Sequence, residues 1–542
     1  ETTSSTWAAS TGCLNGPATP EIYPLPLPAP LPGSLLLAGA SIAGARAPPR
    51  RPGLHTSGVQ FPLCALAASA VGLHYARAVE PSGDEIDYLL MAQSVWREGD
   101  LDLRDNFARG DHLEYLGGFD RMPGGTRRAD GRPYPTHSAG LSVLLAPAYA
   151  LGGRPACVVL LALLAAGLSL LVRDLARRSG ADEASALVAW AAAAGPPVLY
   201  YAAFLYTEVP AAVAIALALR LLLFSPGPRA AAAAALALSA LPWLHVRLTL
   251  LAAALGAFAL LRLRGRARLA FLLTAAAMAA AYAGYQLSVF GTLSPFARYA
   301  GAMPIAMERR TPLRTLVGLF VDGAFGLLPY APIFLLALAG LPFLFGRGRR
   351  DRWAFALLGL GVLLPVLGWR NWFGFSPPAR FTIPLVPLLA IAAALRASAG
   401  RGLARWRWWL VASGLGLAFL MFAEPRAMRM VNGRDGSPPG AFEKLSGAES
   451  PARYLPYLSS RTGSVAPPWE PPASEARVAG VWVAALGLLL LLDRAARTRD
   501  RVDGWFRGLA LPILLFLAVS VAVDRWARPE GPPGPRPPAT AS

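Results

Sequence analysis

The chain is predicted to be an all-α polytopic membrane protein, a bundle of about thirteen transmembrane helices. Three observations predict it. Only 15% of the 542 residues are charged and 55% are hydrophobic, whereas soluble domains carry roughly 25% charged residues. Mean hydropathy is +0.43, and several apolar runs reach the ~20 residues that a helix needs to cross the hydrocarbon core. Arginines fall in short clusters between those runs, the positive-inside pattern that sets orientation.

The clusters are Arg173/Arg177/Arg178, Arg262/Arg264/Arg266/Arg268, Arg347/Arg349/Arg350/Arg352, Arg401/Arg405/Arg407 and Arg494/Arg497/Arg499/Arg501. This distribution, rather than one basic face, explains the net charge of +19 and argues against nucleic acid as a partner. Lys444 is the single lysine. Arginine in place of lysine, with abundant Ala, Gly and Pro, fits a GC-rich bacterial genome. Cys13, Cys64 and Cys157 have neither metal-binding nor disulfide spacing.

Residues 1–57, rich in Pro, Ala, Ser and Thr, are expected to be disordered. A transmembrane module follows over 58–423, opening with a span from Val59 to Ala78. Placing every arginine cluster on one side puts later spans near 154–172, 184–203, 206–224, 229–244, 249–263, 268–289, 321–345, 353–369, 380–396 and 407–423. Two C-terminal helices, 478–492 and 507–524, fall within 478–525, and a Pro-rich tail occupies 526–542. Ser138–Gly152 is apolar but short, so it reads as a juxtamembrane or re-entrant helix. The outer segments are then the first loop 79–137, 290–320, 370–379 and the Pro-rich loop 424–477. Trp369, Trp372, Trp406, Trp408 and Trp409 stand where aromatic belts form.

Against that apolar background the acidic start of the first outer loop stands out: Gly83-Asp84-Glu85-Ile86-Asp87-Tyr88. Ser82 and Glu85 have the spacing of a capping box, which would start a helix at Ser82. On that helix Asp84, Asp87 and Tyr88 share one face, with Leu89, Leu90 and Val95 free to lie on the membrane surface. A carboxylate so placed can deprotonate an acceptor hydroxyl or hold a divalent cation. Gly99-Asp100-Leu101-Asp102-Leu103-Arg104-Asp105-Asn106 lacks the Gly and distant Glu of a calcium loop and reads as a helix stop and turn. His137, Glu208, Arg247, Arg298 and Arg380 reach the same outer side. A membrane-buried Glu208 requires a partner such as one of these arginines. Asp322, at the edge of a span, is the best sign of a transporter.

These motifs resemble the GT-C-fold glycosyltransferases, nearest to bacterial relatives of the protein O-mannosyltransferases and of the lipid A aminoarabinose transferase. The resemblance runs over about 59–400. It is carried by Gly83-Asp84-Glu85 with Tyr88, Glu98-Gly99-Asp100-Leu101-Asp102, Tyr134-Pro135-Thr136-His137 leading into Gly140 and Pro147, Thr207-Glu208, Phe290-Gly291 with Pro295, and Ala379-Arg380-Phe381 with Pro384 and Pro387. Phe381 stands where the family often has Tyr, and no large soluble C-terminal domain is expected within these residues.

The resemblance implies a GT-C-like bundle in the bacterial plasma (inner) membrane with its active site on the outer face. It implies an inverting transfer from a polyprenyl-phosphate sugar donor, with membrane lipids around it and a lipid, glycan or protein as acceptor. By position, Asp84 and Glu85 are the catalytic acids, while Asp87, Tyr88, His137, Glu208 and Arg380 contact substrate, Arg380 through the donor phosphate. A divalent cation, Mg2+ or Mn2+, is an open option. A transporter or lipid flippase is the alternative, and a non-catalytic scaffold the third reading.

Overall fold

A computed structural model describes residues 55–81, 83–116, 137–225, 227–296, 312–346, 351–369, 372, 376–400, 402–425, 455–456, 458 and 473–498. The N-terminal segment up to residue 54, the expected span 507–524 and most of the 424–477 loop lie outside them.

Among the described residues the regular structure is helical. The order is α1 (His55–Ala78), α2 (Asp84–Arg97), α3 (Arg104–Arg109), α4 (Leu113–Leu116), α5 (Gly140–Arg178), α6 (Glu183–Ala194), α7 (Val198–Tyr201), α8 (Glu208–Phe224) and α9 (Pro228–Leu244). Then follow α10 (Thr249–Arg262), α11 (Gly265–Phe290), α12 (Pro312–Val321), α13 (Phe334–Leu344), α14 (Arg352–Leu367), α15 (Val386–Ser398), α16 (Arg407–Ala423) and α17 (Ala473–Thr498). Short 3-10 turns precede α10 and α15, at Val246–Leu248 and Arg380–Leu385.

By length and composition, Gly58–Ala78, Gly140–Arg178, Gly265–Phe290 and Arg380–Ser398 can cross a membrane. The other apolar helices are shorter. Two expected spans are broken. The segment 184–203 stops being helical at Ala194, because Pro196 and Pro197 cannot donate to the helix ladder and restrict the residue before them. The segment 321–345 is divided by a turn from Asp322 to Ile333, which contains Pro329 and Pro332. There Asp322 Oδ1 accepts the N–H groups of Ala324 (2.9 Å) and Phe325 (2.8 Å), so this acid caps a turn inside the protein.

The expected short helix at 138–152 is the first part of α5. Gly153, at φ 58°, turns the chain there, and α5 resumes at Arg154. Arg154 Nη1 donates to the carbonyls of Ala76 (3.1 Å) and Val79 (2.7 Å), satisfying the last carbonyls of α1.

The ion pairs show that the helices run back and forth between two ends. Arg154 meets the end of α1, Ser169 contacts Cys64 (3.8 Å) and Arg173 bonds Gln60 (2.5 Å), so α1 and α5 are antiparallel. At the Arg173 end lie Arg173 and Arg177 with Glu183, Arg220 with Asp174 (2.5 Å), Arg262 on the Leu222 carbonyl (3.1 Å), and Arg396 with Asp493. This basic end closes α5, α8, α10 and α15. The opposite end holds the starts of α2, α5, α8 and α10 and the turn at Arg380. Among the described residues, Arg173, Arg177 and Arg262 of the arginine clusters thus lie at the end away from the acidic motifs.

Small side chains let several of the helices approach closely. α8 and α9 are alanine-rich, α15 is almost wholly buried, and a Cβ on Gly361 would come within 2.8 Å of Leu251 Cα. Such close approach is how membrane helices gain packing energy without a hydrophobic driving force between them. Two surface expectations are corrected. Leu89 and Leu90 are buried where α2 packs on α5, so they do not face lipid. Trp372 is buried over Gly318 with Leu319 and Val366, rather than lying in an aromatic belt.

Candidate active site

α2 begins at Asp84, with Gly83 as its N-cap at φ 59° and no side-chain cap bond. Ser82, the expected cap of a box closed by Glu85, lies outside the described residues. Glu85 is fully buried, accepts the N–H of Leu205 (3.2 Å) and lies 3.7 Å from Arg154. Gly83, at φ 59°, supplies the positive-φ backbone from which α2 starts, and Asp84 lies about 100° around the helix from Glu85.

Asp84 Oδ2 pairs with Arg380 Nη2 at 2.5 Å, although the two residues are 296 positions apart. Arg380 Nε donates to Glu208 Oε1 (2.9 Å), and Arg247 Nη2 donates to the same oxygen (2.5 Å). The chain of charges is thus Asp84, Arg380, Glu208, Arg247. Glu208 has the arginine partners its burial requires. Tyr206 lies under Arg380, with its ring centroid 4.2 Å from Cζ, and Phe381 carries Arg247 at 4.3 Å. These cation–π contacts hold the guanidiniums flat.

His137 completes the cluster. Its Nε2 is 3.2 Å from Asp87 Oδ2 and 3.7 Å from Asp84 Oδ1, and its ring packs on Tyr88 at 5.2 Å between centroids. Ser142 of α5 donates to the Tyr88 carbonyl (3.0 Å), which ties α2 to the helix that follows His137. The shared face of Asp84, Asp87 and Tyr88 is therefore where His137 sits.

Accessibility separates these groups. Asp84 is 26% exposed, Arg380 6% and Glu208 0%. Asp84 is the most open carboxylate joined to the arginines, and Arg380 does not snorkel to the surface. Burial alone would raise the Asp84 carboxyl, but Arg380, with His137 adding to it, holds it well below the usual carboxylate range. For His137, burial opposes the charged form. The carboxylates of Asp84 and Asp87 outweigh it and raise the imidazole above its ordinary value.

Asp84 Oδ2 faces Arg380 and Oδ1 faces His137, and among the described residues no group of three His, Cys, Asp or Glu side chains has the geometry to hold a metal ion.

The expected turn after α2 is observed. Glu98 caps α2, Gly99 takes φ 78°, and Asp100 Oδ1 accepts from Ser94 Oγ and Asp102 N, both at 3.1 Å. Arg298 and Tyr134-Pro135-Thr136 lie outside the described residues. Sequence reasoning did not single out Tyr206, Arg154 or His245. Tyr206 had a readable signal, an aromatic two residues before a membrane-buried glutamate.

No protein-family model matches the chain, and no curated protein matches it. Among solved structures, the chain is similar to ArnT from Cupriavidus metallidurans in the apo state (TM-score 0.45, 16% identity, 86% of this chain and 76% of that one). It is likewise similar to ArnT bound to undecaprenyl phosphate (TM-score 0.44, 16% identity, 87% and 77%). A third similarity is to the archaeal oligosaccharyltransferase AglB from Archaeoglobus fulgidus, in complex with an inhibitory peptide and a dolichol-phosphate (TM-score 0.39, 12% identity, 83% and 57%). Similarity at this level assigns no residue and no activity to the chain.

Proposed function

We propose that the chain is a GT-C-like membrane glycosyltransferase that moves a sugar from a polyprenyl-phosphate donor to an acceptor hydroxyl on the outer side of the membrane. The observation that carries this reading is the cluster Asp84–Arg380–Glu208–Arg247 with His137, gathered at the end opposite Arg173 and Arg262. It offers guanidiniums for a phosphate beside an accessible carboxylate for a hydroxyl.

Arg380 already spends Nε and Nη2 on two carboxylates. Arg247 spends only Nη2, and its Nε and Nη1 have no hydrogen bond among the described residues. Arg247 is therefore the first guanidinium an arriving phosphate meets, in the two-pronged geometry that arginine favours. As the phosphate settles, it competes with Asp84 for Arg380. Loosening that pair returns basicity to Asp84, which is a weak base while Arg380 holds it.

The acceptor oxygen then attacks the anomeric carbon from the face opposite the phosphate. Its proton passes to Asp84 as the new C–O bond forms, and polyprenyl phosphate leaves with the electron pair of the broken bond. Glu208, held by two arginines, keeps both guanidiniums in place throughout.

A transporter would place such charges on a path through the bundle. Here the cluster sits at helix starts and turns, and Asp322, its best support in the sequence, caps a turn. The test is purified protein in liposomes, supplied with a polyprenyl-phosphate sugar and an acceptor lipid. Release of polyprenyl phosphate with sugar on the acceptor is expected. Transbilayer movement of the donor without transfer would sustain the flippase reading instead.

A further inference from the structure

His245 stands between α9 and the turn that leads to α10, at the same end as the charged cluster. Its Nδ1 accepts the backbone N–H of Arg247 at 3.2 Å, so the imidazole caps the turn Val246–Leu248. A nitrogen that accepts from a backbone N–H carries no proton. In a neutral ring the proton must then reside on Nε2. The ring is neutral for a clear reason. Burial pushes its basicity well down, Arg247, Arg380 and His137 push it further, and Asp84 opposes them only in part. Those same charges place His245 within electrostatic reach of the whole cluster.

His245 is half-buried, and its Nε2 has no hydrogen-bond partner among the described residues. The cluster therefore contains a neutral N–H donor of fixed tautomer, two residues from the arginine with an open edge.

We propose that His245 is a substrate-contacting residue whose Nε2–H donates to an oxygen of the lipid-linked phosphate held at Arg247. The proposal rests on the glycosyltransferase reading for the identity of that phosphate. A neutral donor suits the position, since it adds a directional bond without another positive charge beside Arg247 and Arg380. The competing role is a purely structural one, in which His245 only caps the turn.

Two substitutions separate these roles, because the two ring nitrogens have different side-chain analogues. His245→Asn keeps an acceptor near the place of Nδ1, and Asn is among the best capping residues, but it removes the distal donor. His245→Gln places an amide N–H near the position of Nε2 and weakens the cap. The probe is a polyprenyl phosphate bearing no sugar, titrated calorimetrically against detergent-solubilised full chain, with thermal melting measured in parallel.

A bond from a neutral donor to a charged oxygen predicts an affinity loss of about tenfold to a hundredfold in His245→Asn, with melting unchanged. His245→Gln should retain more of the affinity while melting lower. His245→Asn binding like the wild type would overturn the proposal and leave the cap as the whole role. Should His245→Asn itself melt lower, the imidazole 15N shifts of the wild type decide. A shift at Nε2 on adding polyprenyl phosphate supports the contact, and an unmoved Nε2 overturns it. A wild type that does not bind polyprenyl phosphate would count instead against the glycosyltransferase reading itself.

Discussion

Each end of the bundle contains a buried arginine–carboxylate pair, and the two are built differently. At the basic end Arg396 and Asp493 are 0% and 1% exposed. Arg396 Nε donates to Asp493 Oδ2 (3.0 Å), and Oδ1 also accepts the N–H of Leu403 (3.0 Å). That pair is closed, and it fastens α17 to α15. At the other end Arg380 is shared between Glu208 and Asp84, and Asp84 stays 26% exposed. A closed pair resists change and serves folding. A shared pair with one accessible member can exchange partners, which is what a site that must admit a phosphate requires.

The largest expected effect on stability falls on the closed pair. Asp493→Asn leaves a buried Arg396 without its counter-charge, and breaking a buried pair in this way costs about 3–5 kcal/mol. Melting should drop steeply, while donor affinity of the protein that remains folded stays at the wild-type value. A mild loss of stability together with weakened donor binding would break the contrast between the two ends.

Arg380→Lys sharpens the comparison from the other side. Lysine keeps a positive charge but loses the planar fork that meets two carboxylates at once. Donor binding should weaken in the lysine variant as it does in Arg380→Ala, and turnover should fall further because Asp84 is no longer oriented. Full donor affinity and turnover in Arg380→Lys would mean that a point charge suffices.

The smallest expected effect concerns His137, whose folded-state value lies above its ordinary one of about 6.5. A raised value means that its contribution to stability is fully present below that ordinary value. The contribution is lost as pH rises through the folded value. Melting measured from pH 6 to pH 9 should decline more in the wild type than in His137→Gln. Parallel curves would show that the ring is not held by Asp84 and Asp87 in its charged form.

The site was legible in the sequence where charge is conspicuous. Asp84, Glu208 and Arg380 stand out because an apolar chain has few reasons to bury them, and a partner for Glu208 could be demanded on energetic grounds alone. Which arginines answer was not readable, since Arg380 and Arg247 lie 172 and 39 positions from Glu208 and no local pattern encodes either contact. Glu85 was grouped with Asp84 because they are neighbours, yet adjacent helical residues point about 100° apart, and Glu85 turns into the protein. The start of α2 was legible to within two residues of Ser82, and Gly83 at φ 59° supplies its sharp entry. His245 was hidden between two apolar helices, where its role depends on a turn that hydropathy does not show. The helix breaks at Pro196-Pro197 and over 322–333 were masked by the hydrophobicity of the residues around them.

Asp84 is where the account meets its most direct test. The measurement is the transfer rate of Asp84→Asn from a polyprenyl-phosphate sugar, taken beside its thermal melting. Glu208 still pairs Arg380 in this variant, and Asp84 is partly exposed, so the stability cost is about 1 kcal/mol or less. Loss of a carboxylate that takes the acceptor proton lowers the rate by about 10²–10⁴, or roughly 3–5 kcal/mol of barrier. A folded protein whose turnover has collapsed is the expected result. A folded Asp84→Asn that turns over at nearly the wild-type rate would contradict it.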